Sequence, residues 1–372
     1  MELTVKKNDL LDGLSKTQSI AERKTTLAVL SNVLLRAENE ALSVSATDLE
    51  LGFEGVYPAQ IKKEGAVTVP AKKIYEIVKE LPDEKIFIQS RDNNLVYIQG
   101  GEAKFNLYGL SVEDFPGLPD RDNLTEIEMD AQQLRRMIQC TIISTSSEDA
   151  MYNTSGIYLE KNPQGKEMVL RMVSTDGHRL SLIDKKINDS NKLDFETGVV
   201  ISKKGITEIN RLIEDQKTVR VGFSEKVGMV KTSNGLLVIR LLEKKFPDYK
   251  RVLPPEPDAM AAMPRIAFLE MLRRMSIMSS ERHKAIRMDF RPGLLEIYST
   301  NPDLGDSQES REVDYTGPEI STGFNPRYIL DVLNVLESET VQLYFSDVNG
   351  GCLIKGEMDE GFLGLVMPMK LS

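Results

Sequence analysis

One pattern occurs three times along this chain, and it constrains the fold more than any other feature. The segments "VPAKKIYEIVKEL" (69–81), "ISKKGITEINRLI" (201–213) and "FNPRYILDVLNVL" (324–336) align without gaps. They share an aliphatic residue at Ile74, Ile206 and Ile329, an acid at Glu76, Glu208 and Asp331, and a second aliphatic at Ile77, Ile209 and Val332. A basic residue recurs at Lys72, Lys204 and Arg327. An earlier segment recurs in step with them: "VKKNDLLDGLSKT" (5–17), "MDAQQLRRMIQCT" (129–141) and "MPRIAFLEMLRRM" (263–275). In these, Leu10, Leu134 and Phe268 precede Leu14, Ile138 and Leu272 by four residues, which puts each pair on one helical face. Each later segment is followed by a short β-like run, "KIFIQS", "TVRVGF" or "TVQLYF". Such self-similarity at a period near 125 residues predicts three α+β domains, each packing two helices on antiparallel strands. Composition shifts set their limits at 1–122, 123–255 and 256–372, the second break falling in the proline-rich "PPEPDAMAAMP".

Charge is segregated by element. The six predicted helices (6–20, 71–80, 131–143, 203–213, 265–276 and 326–336) hold 15 Lys/Arg against 7 Asp/Glu, a surplus of +8. The whole chain is −10, so everything outside them carries −18. Helices that bury one stripe turn the opposite face outward. A shared basic face including Lys72, Lys79, Arg135, Arg136, Lys203, Lys204, Arg211, Arg273 and Arg274 suits phosphates, bound without sequence preference and with strong salt dependence. The scarcity of aromatic residues in those helices argues against stacking on single strands. Three repeats in an arc leave two open sheet edges, which pairing of two copies head to tail would close into a six-domain ring. The expected edge material is "AKFNLYGL" (103–110), with Phe105 and Leu107, and "SIMSS" (276–280), with Ile277 and Met278.

The chain has two histidines, and "STDGHRLSL" (174–182) sets one of them between an acid and an arginine. Asp176 and His178 would suit a hydrolase base or a metal pair. Against an enzyme, His283 lies outside the repeated word, and Cys140 and Cys352 have no metal-ligand spacing. No glycine-rich phosphate loop or G-x-S-x-G elbow occurs either. The first repeat has "ATDLELGF", keeping Thr47 and Asp48, and the third has "STNPDLGDS", keeping Thr300 with Asn301 in place of the acid. The shared Thr-Asp is therefore expected to be a turn whose acid accepts local backbone hydrogen bonds. A protein-interaction scaffold that does not bind DNA is the other alternative, and the basic helices weigh against it. No cofactor or metal is expected. Two distant cysteines, no signal-like N-terminus and no apolar run of spanning length predict a cytoplasmic protein.

Taken in order, "SVSATDLELG", "TVPAKKIYEIVKELP", "DFPGLP", "STDGHRL", "FPDYKRVLP", "GFNPRYILDVLN" and "VMPMKLS" resemble the bacterial sliding clamps, the beta subunits of DNA polymerase III, over essentially all 372 residues. The resemblance implies a non-catalytic, ring-shaped homodimer that encircles double-stranded DNA and tethers the polymerase. It also implies a peptide-binding groove between the second and third domains. There the replicative polymerase alpha subunit, the clamp loader, translesion polymerases and mismatch-repair proteins dock linear motifs. The matching positions are Thr175, Gly177, His178, Arg179, Leu180, Pro247, Val252, Asn325, Tyr328, Met367, Pro368, Met369, Lys370 and Leu371. Leu180, Pro247, Val252 and the methionines would supply an apolar, adaptable pocket, and His178, Arg179 and Asn325 a polar rim. Thr154 stands where many members have a leucine, Lys370 replaces a usual arginine and Ser372 adds a residue. The family's DNA-contact loops correspond to "IAERKTT", with Arg23 and Lys24, and to "TSSEDAM", where Glu148 opposes a phosphate contact.

Overall fold

Six helices form where the periodicity predicts them: α1 (Lys7–Thr17), α2 (Ala71–Glu80), α3 (Ala131–Ile142), α4 (Lys203–Leu212), α5 (Arg265–Ser276) and α6 (Pro326–Val335). The computed structural model describes residues 1–21, 27–82, 84–119, 124–146, 155–165, 167–189, 192–243, 245–254, 259–279, 285–345 and 350–371. The aligned apolar positions are the ones that drive packing, because Leu10, Leu14, Ile74, Leu134, Ile138, Ile206, Phe268, Leu272 and Ile329 are all buried. Side-chain caps fix several helix starts. Asp130 accepts from the Gln133 amide (2.8 Å), Ser202 from the Gly205 amide (3.1 Å) and Asn325 from the Arg327 amide (3.1 Å). Each such cap stabilises its helix by about 1 kcal/mol.

The far ends of α2, α4 and α6 are closed by cations. Lys7 donates to the carbonyls of Lys79 (2.9 Å) and Leu81, Arg135 to that of Glu214 (3.2 Å), and Arg265 to those of Leu333 (3.1 Å) and Ser338 (2.7 Å). A cation on the last carbonyls meets the negative end of the helix dipole. Lys7 and Arg265 hold equivalent places in the repeat. The second repeat has Ala131 there, and Arg135, one turn later, does the same work.

The described residues pack into two compact units, Met1–Arg135 with Asn188–Glu243, and Arg136–Ile187 with Lys244–Ser372. In the first, one antiparallel sheet runs Ala103–Tyr108, Leu95–Gly100, Lys85–Ser90, Glu2–Lys6, Leu51–Lys63, Gly235–Arg240, Val227–Lys231, Thr218–Phe223, Ile127–Asp130. In the second, Gly156–Gln164, Glu167–Thr175, Arg179–Lys186, Phe362–Val366, Cys352–Gly356, Thr340–Phe345, Ala259–Pro264 and Asp314–Tyr315 follow one another. A separate four-stranded sheet there runs Gly305–Glu312, Leu294–Asn301, Ile286–Arg291, Ile320–Phe324. In each unit, the strand that leaves a Thr-Asp turn carries the sheet from one repeat to the next. Leu51–Lys63 pairs with Gly235–Arg240, setting Gly52 opposite Val238, and Arg179–Lys186 pairs with Phe362–Val366, setting Leu180 opposite Leu365.

The expected edges are half right. Ala103–Tyr108 is an edge strand, with Phe105 exposed and Leu107 half-buried on one face. Residues 276–279 are not a strand. Buried Met271, Leu272 and Met275 keep that region helical to Ser276, and Ile277 (74% exposed) and half-buried Met278 sit on the turn after it. The edge on that side is Gly305–Glu312, "GDSQESRE", whose residues alternate between exposed and half-buried without an apolar side chain to announce it.

Candidate functional site

The turn at 174–180 is built by its own side chains. The Thr175 hydroxyl donates to the Arg179 carbonyl (2.7 Å) and accepts from the Gly177 amide (3.1 Å). Asp176 Oδ1 accepts from the amides of His178 (3.0 Å) and Arg179 (3.1 Å). Gly177 takes φ +87°, a left-handed conformation that glycine adopts without a Cβ penalty. The first repeat makes the same turn: Thr47 donates to Leu51 (2.7 Å) and accepts from the Leu49 amide (3.1 Å), while Asp48 accepts from Glu50 (2.9 Å) and Leu51 (2.6 Å). In the third repeat Asn301 accepts from the Asp303 amide (3.0 Å). The acid is thus a turn device, as its repetition predicts.

What surrounds the second turn is particular to it. A cavity of about 790 Å³ opens beside the turn, lined by Thr175–Leu180, Lys245–Tyr249, Val252, Leu365 and Met367. Its floor is fixed by register, because Leu365 faces Leu180 across the strand pair and the Met367 amide donates to the His178 carbonyl (2.9 Å). Its far wall is the segment 245–252. Phe246 stacks on Tyr158 with centroids 5.0 Å apart and meets Tyr249 edge-on. The buried Tyr249 phenol donates to Glu160 and accepts from Arg171 Nη1 (3.0 Å), and burial pushes its pKa up. Arg171 in turn forks onto both oxygens of Asp184, each at 2.6 Å.

Of the expected groove residues, Thr175, Gly177, His178, Arg179, Leu180, Pro247, Val252 and Met367 line this cavity. The others do not. Asn325 is buried as the α6 cap. Tyr328, half-buried, contacts two lining residues, with the Arg179 guanidinium 4.4 Å from its ring centroid and the His178 ring stacked 6.4 Å away. Pro368, Met369, Lys370 and Leu371 turn away along the third repeat, where Met369 bridges to Gly323 and its amide donates to that residue's carbonyl (2.8 Å). Gly323 is needed there, since a Cβ would come within 2.7 Å of Leu371 and of the Met369 carbonyl. Arg179 is a brace more than a free rim, because it pairs with Asp176 (3.0 Å) and with Asp331 of α6. Asp176, Lys245, Phe246, Asp248, Tyr249 and Leu365 join the lining unforeseen. The strand register around Leu180 and the aromatic pair in "FPDY" were the available signals.

The basic residues divide. Lys79, Lys203 and Arg273 make no ion pair among the described residues, and Lys72 and Arg211 are exposed beside Glu76 (3.7 Å) and Glu208 (2.9 Å). Arg135 pairs with Glu214 (3.0 Å) and Arg274 forks onto Glu309. Lys204 is tied to the buried carboxylate of Asp48. Arg136 is tied to buried Asp359 and to the Val335 carbonyl. The last two serve the fold, because a buried carboxylate needs its counter-charge. Arg23, Lys24, Glu148, Thr154 and His283 lie outside the described residues.

Burial pushes both cysteine thiols up, Cys140 to about 12, so neither ionises at neutral pH. Among the described residues no three His, Cys, Asp or Glu side chains converge on a metal position, and no helix is long and apolar enough to cross a membrane.

Three family models match the chain in succession: the N-terminal, central and C-terminal domains of the DNA polymerase III beta subunit, over residues 1–119, 128–248 and 250–370. The beta sliding clamp of Pseudomonas putida is 33% identical over 373 residues, and that of Escherichia coli 30% over 373, each match covering 100% of both chains. Among solved structures, Caulobacter crescentus pol III beta is 33% identical with a TM-score of 0.94. A Bartonella birtlesii sliding clamp bound to griselimycin is 30% identical, also with a TM-score of 0.94, and both structures are covered in full. The repeated two-helix domains, the shared turns and these full-length matches lead to one conclusion: the chain belongs to the DNA polymerase III beta subunit family, the bacterial sliding clamps.

Proposed function

We propose that two copies of this chain close a ring around duplex DNA and hold the replicative polymerase there without catalysing a reaction. The domains on this reading are 1–122, 123–255 and 256–372. The ring would close by pairing the edge strand Ala103–Tyr108 of one copy with Gly305–Glu312 of the other, flanked by Phe105, Leu107, Ile277 and Met278. The former strand carries Lys104, whereas the latter carries Asp306, Glu309 and Glu312 against Arg311, so the edges are opposite in net charge. Lys72, Lys79, Lys203, Arg211 and Arg273 would meet phosphates as mobile, sequence-independent contacts. The clamp loader, translesion polymerases and mismatch-repair proteins would share the groove with the polymerase alpha subunit.

The groove carries this reading. A largely apolar cavity with a few polar groups at its margin, ordered by a rigid turn and two strands, suits an extended peptide that buries two or three side chains. The test is retention on DNA. Protein loaded on nicked circles should stay through gel filtration at moderate salt and run off when the circle is linearised. Equal loss from circles and linear DNA would reject the closed ring.

A further inference from the structure

Among the described residues the same turn occurs twice, with a groove beside the second and the linker residues Leu118 and Pro119 against the first. We propose that Tyr249 is the positioning residue that holds the groove open, by anchoring a four-residue extension of the linker away from Leu180. The proposal rests on the groove being the peptide site.

The linkers that close the first and second repeats begin and end alike. "FPGLP" (115–119) has one residue between its Phe-Pro and Leu-Pro, and "FPDYKRVLP" (246–254) has five. In the first, the short linker lies across the turn. A Cβ on Gly52, the position equivalent to Leu180, would come within 2.7 Å of Leu118 and 3.0 Å of Pro119. In the second, the extra residues form a single 3₁₀ turn, Tyr249–Val252, with Tyr249 buried and Val252 half exposed on the cavity side. The wall therefore hangs on Tyr249.

Its anchor is a row of charges across three strands. Glu160 sits opposite Arg171 and Arg171 opposite Asp184, so the three side chains share one sheet face. The Tyr249 phenol bonds to Glu160 and Arg171 at one end of the row, and the Lys250 ammonium lies 3.5 Å from Glu160. Burying charges in this way contributes little net stability compared with an apolar core, but it fixes geometry strictly. The phenol is the buried linker group hydrogen-bonded to the row, Lys250 meets Glu160 from a more exposed position, and Phe246 adds apolar stacking on Tyr158.

The test compares full-length wild type, Tyr249→Phe and Glu160→Gln. Each is titrated with a fluorescein-labelled peptide carrying the clamp-binding segment of the polymerase alpha subunit, and amide hydrogen exchange is followed over 245–253. Tyr249→Phe keeps the ring and loses the hydroxyl. It should bind about tenfold more weakly and exchange faster over 245–253 than wild type, with strands 167–175 and 179–186 unchanged. Glu160→Gln still accepts from the phenol and should bind within about twofold of wild type. Should Tyr249→Phe fail to fold, Glu160→Ala against Glu160→Gln supplies the same contrast. Wild-type affinity and unchanged exchange in Tyr249→Phe would overturn the proposal while leaving the groove intact. No binding by wild type would reject the groove itself, and the inference with it.

Discussion

The turns Thr47–Gly52 and Thr175–Leu180 share their hydrogen bonds and differ in what stands next to them. Asp48 receives Lys204 from α4, whereas Asp176 receives Arg179, which passes the contact on to Asp331 of α6 and stacks on Tyr328. Tyr328 is the counterpart of Gly205 in the repeat, so an aromatic ring and an arginine occupy a place that the first turn leaves to a lysine. Gly52 accommodates Leu118, while Leu180, itself buried, lines the cavity. The same backbone device serves once as a sealed joint and once as a wall for a ligand. Small changes in side chain and linker length separate the two, which is how a fold made of repeats gains a single site.

The largest expected effect comes from placing a charge in the open joint. Leu180 is buried opposite Leu365, so Leu180→Glu would set a carboxylate in apolar surroundings at a cost of several kcal/mol. Peptide affinity should fall by more than about a hundredfold, with the dimer mass unchanged by light scattering; loss of the dimer would show that Leu180 serves the fold instead. Filling the closed joint should act on stability alone. Gly52→Leu collides with Leu118 and Pro119, so unfolding should become easier by about 1–3 kcal/mol in a chemical melt, with peptide affinity preserved. Leu118→Ala in that background should recover part of the loss. The smallest effect is at the turn apex. Leu49 takes φ +78°, where Gly177 stands in the other copy. Leu49→Gly relieves a strained residue and should stabilise the protein by up to about 1 kcal/mol; destabilisation would mean that the half-exposed leucine packs more than it strains.

The helices, their buried faces and the turn device were legible in sequence because each depends on local spacing: Leu10 with Leu14, Phe268 with Leu272, Thr with Asp. The groove was legible through resemblance only in part. Leu180 and Met367, which the resemblance names, line the cavity, whereas Met369 and Leu371 follow the backbone past Gly323, a path that short words do not encode. On the basic faces some cations have carboxylate partners that local spacing does not reveal. Arg136 and Lys204 read as solvent-facing cations on their helices, yet their partners, Asp359 and Asp48, are more than 150 residues distant in the chain. The strand Gly305–Glu312 escaped notice because an edge that must stay soluble has few apolar side chains to betray it.

The contrast between an open and a sealed joint is tested most directly by the stoichiometry of peptide binding. Calorimetric titration of the wild-type protein with the alpha-subunit peptide should give one site per protomer, with a footprint in amide exchange confined to 175–180, 245–252 and 365–367. Two equivalent sites per protomer, or a footprint at 47–52 and 115–119, would contradict the account.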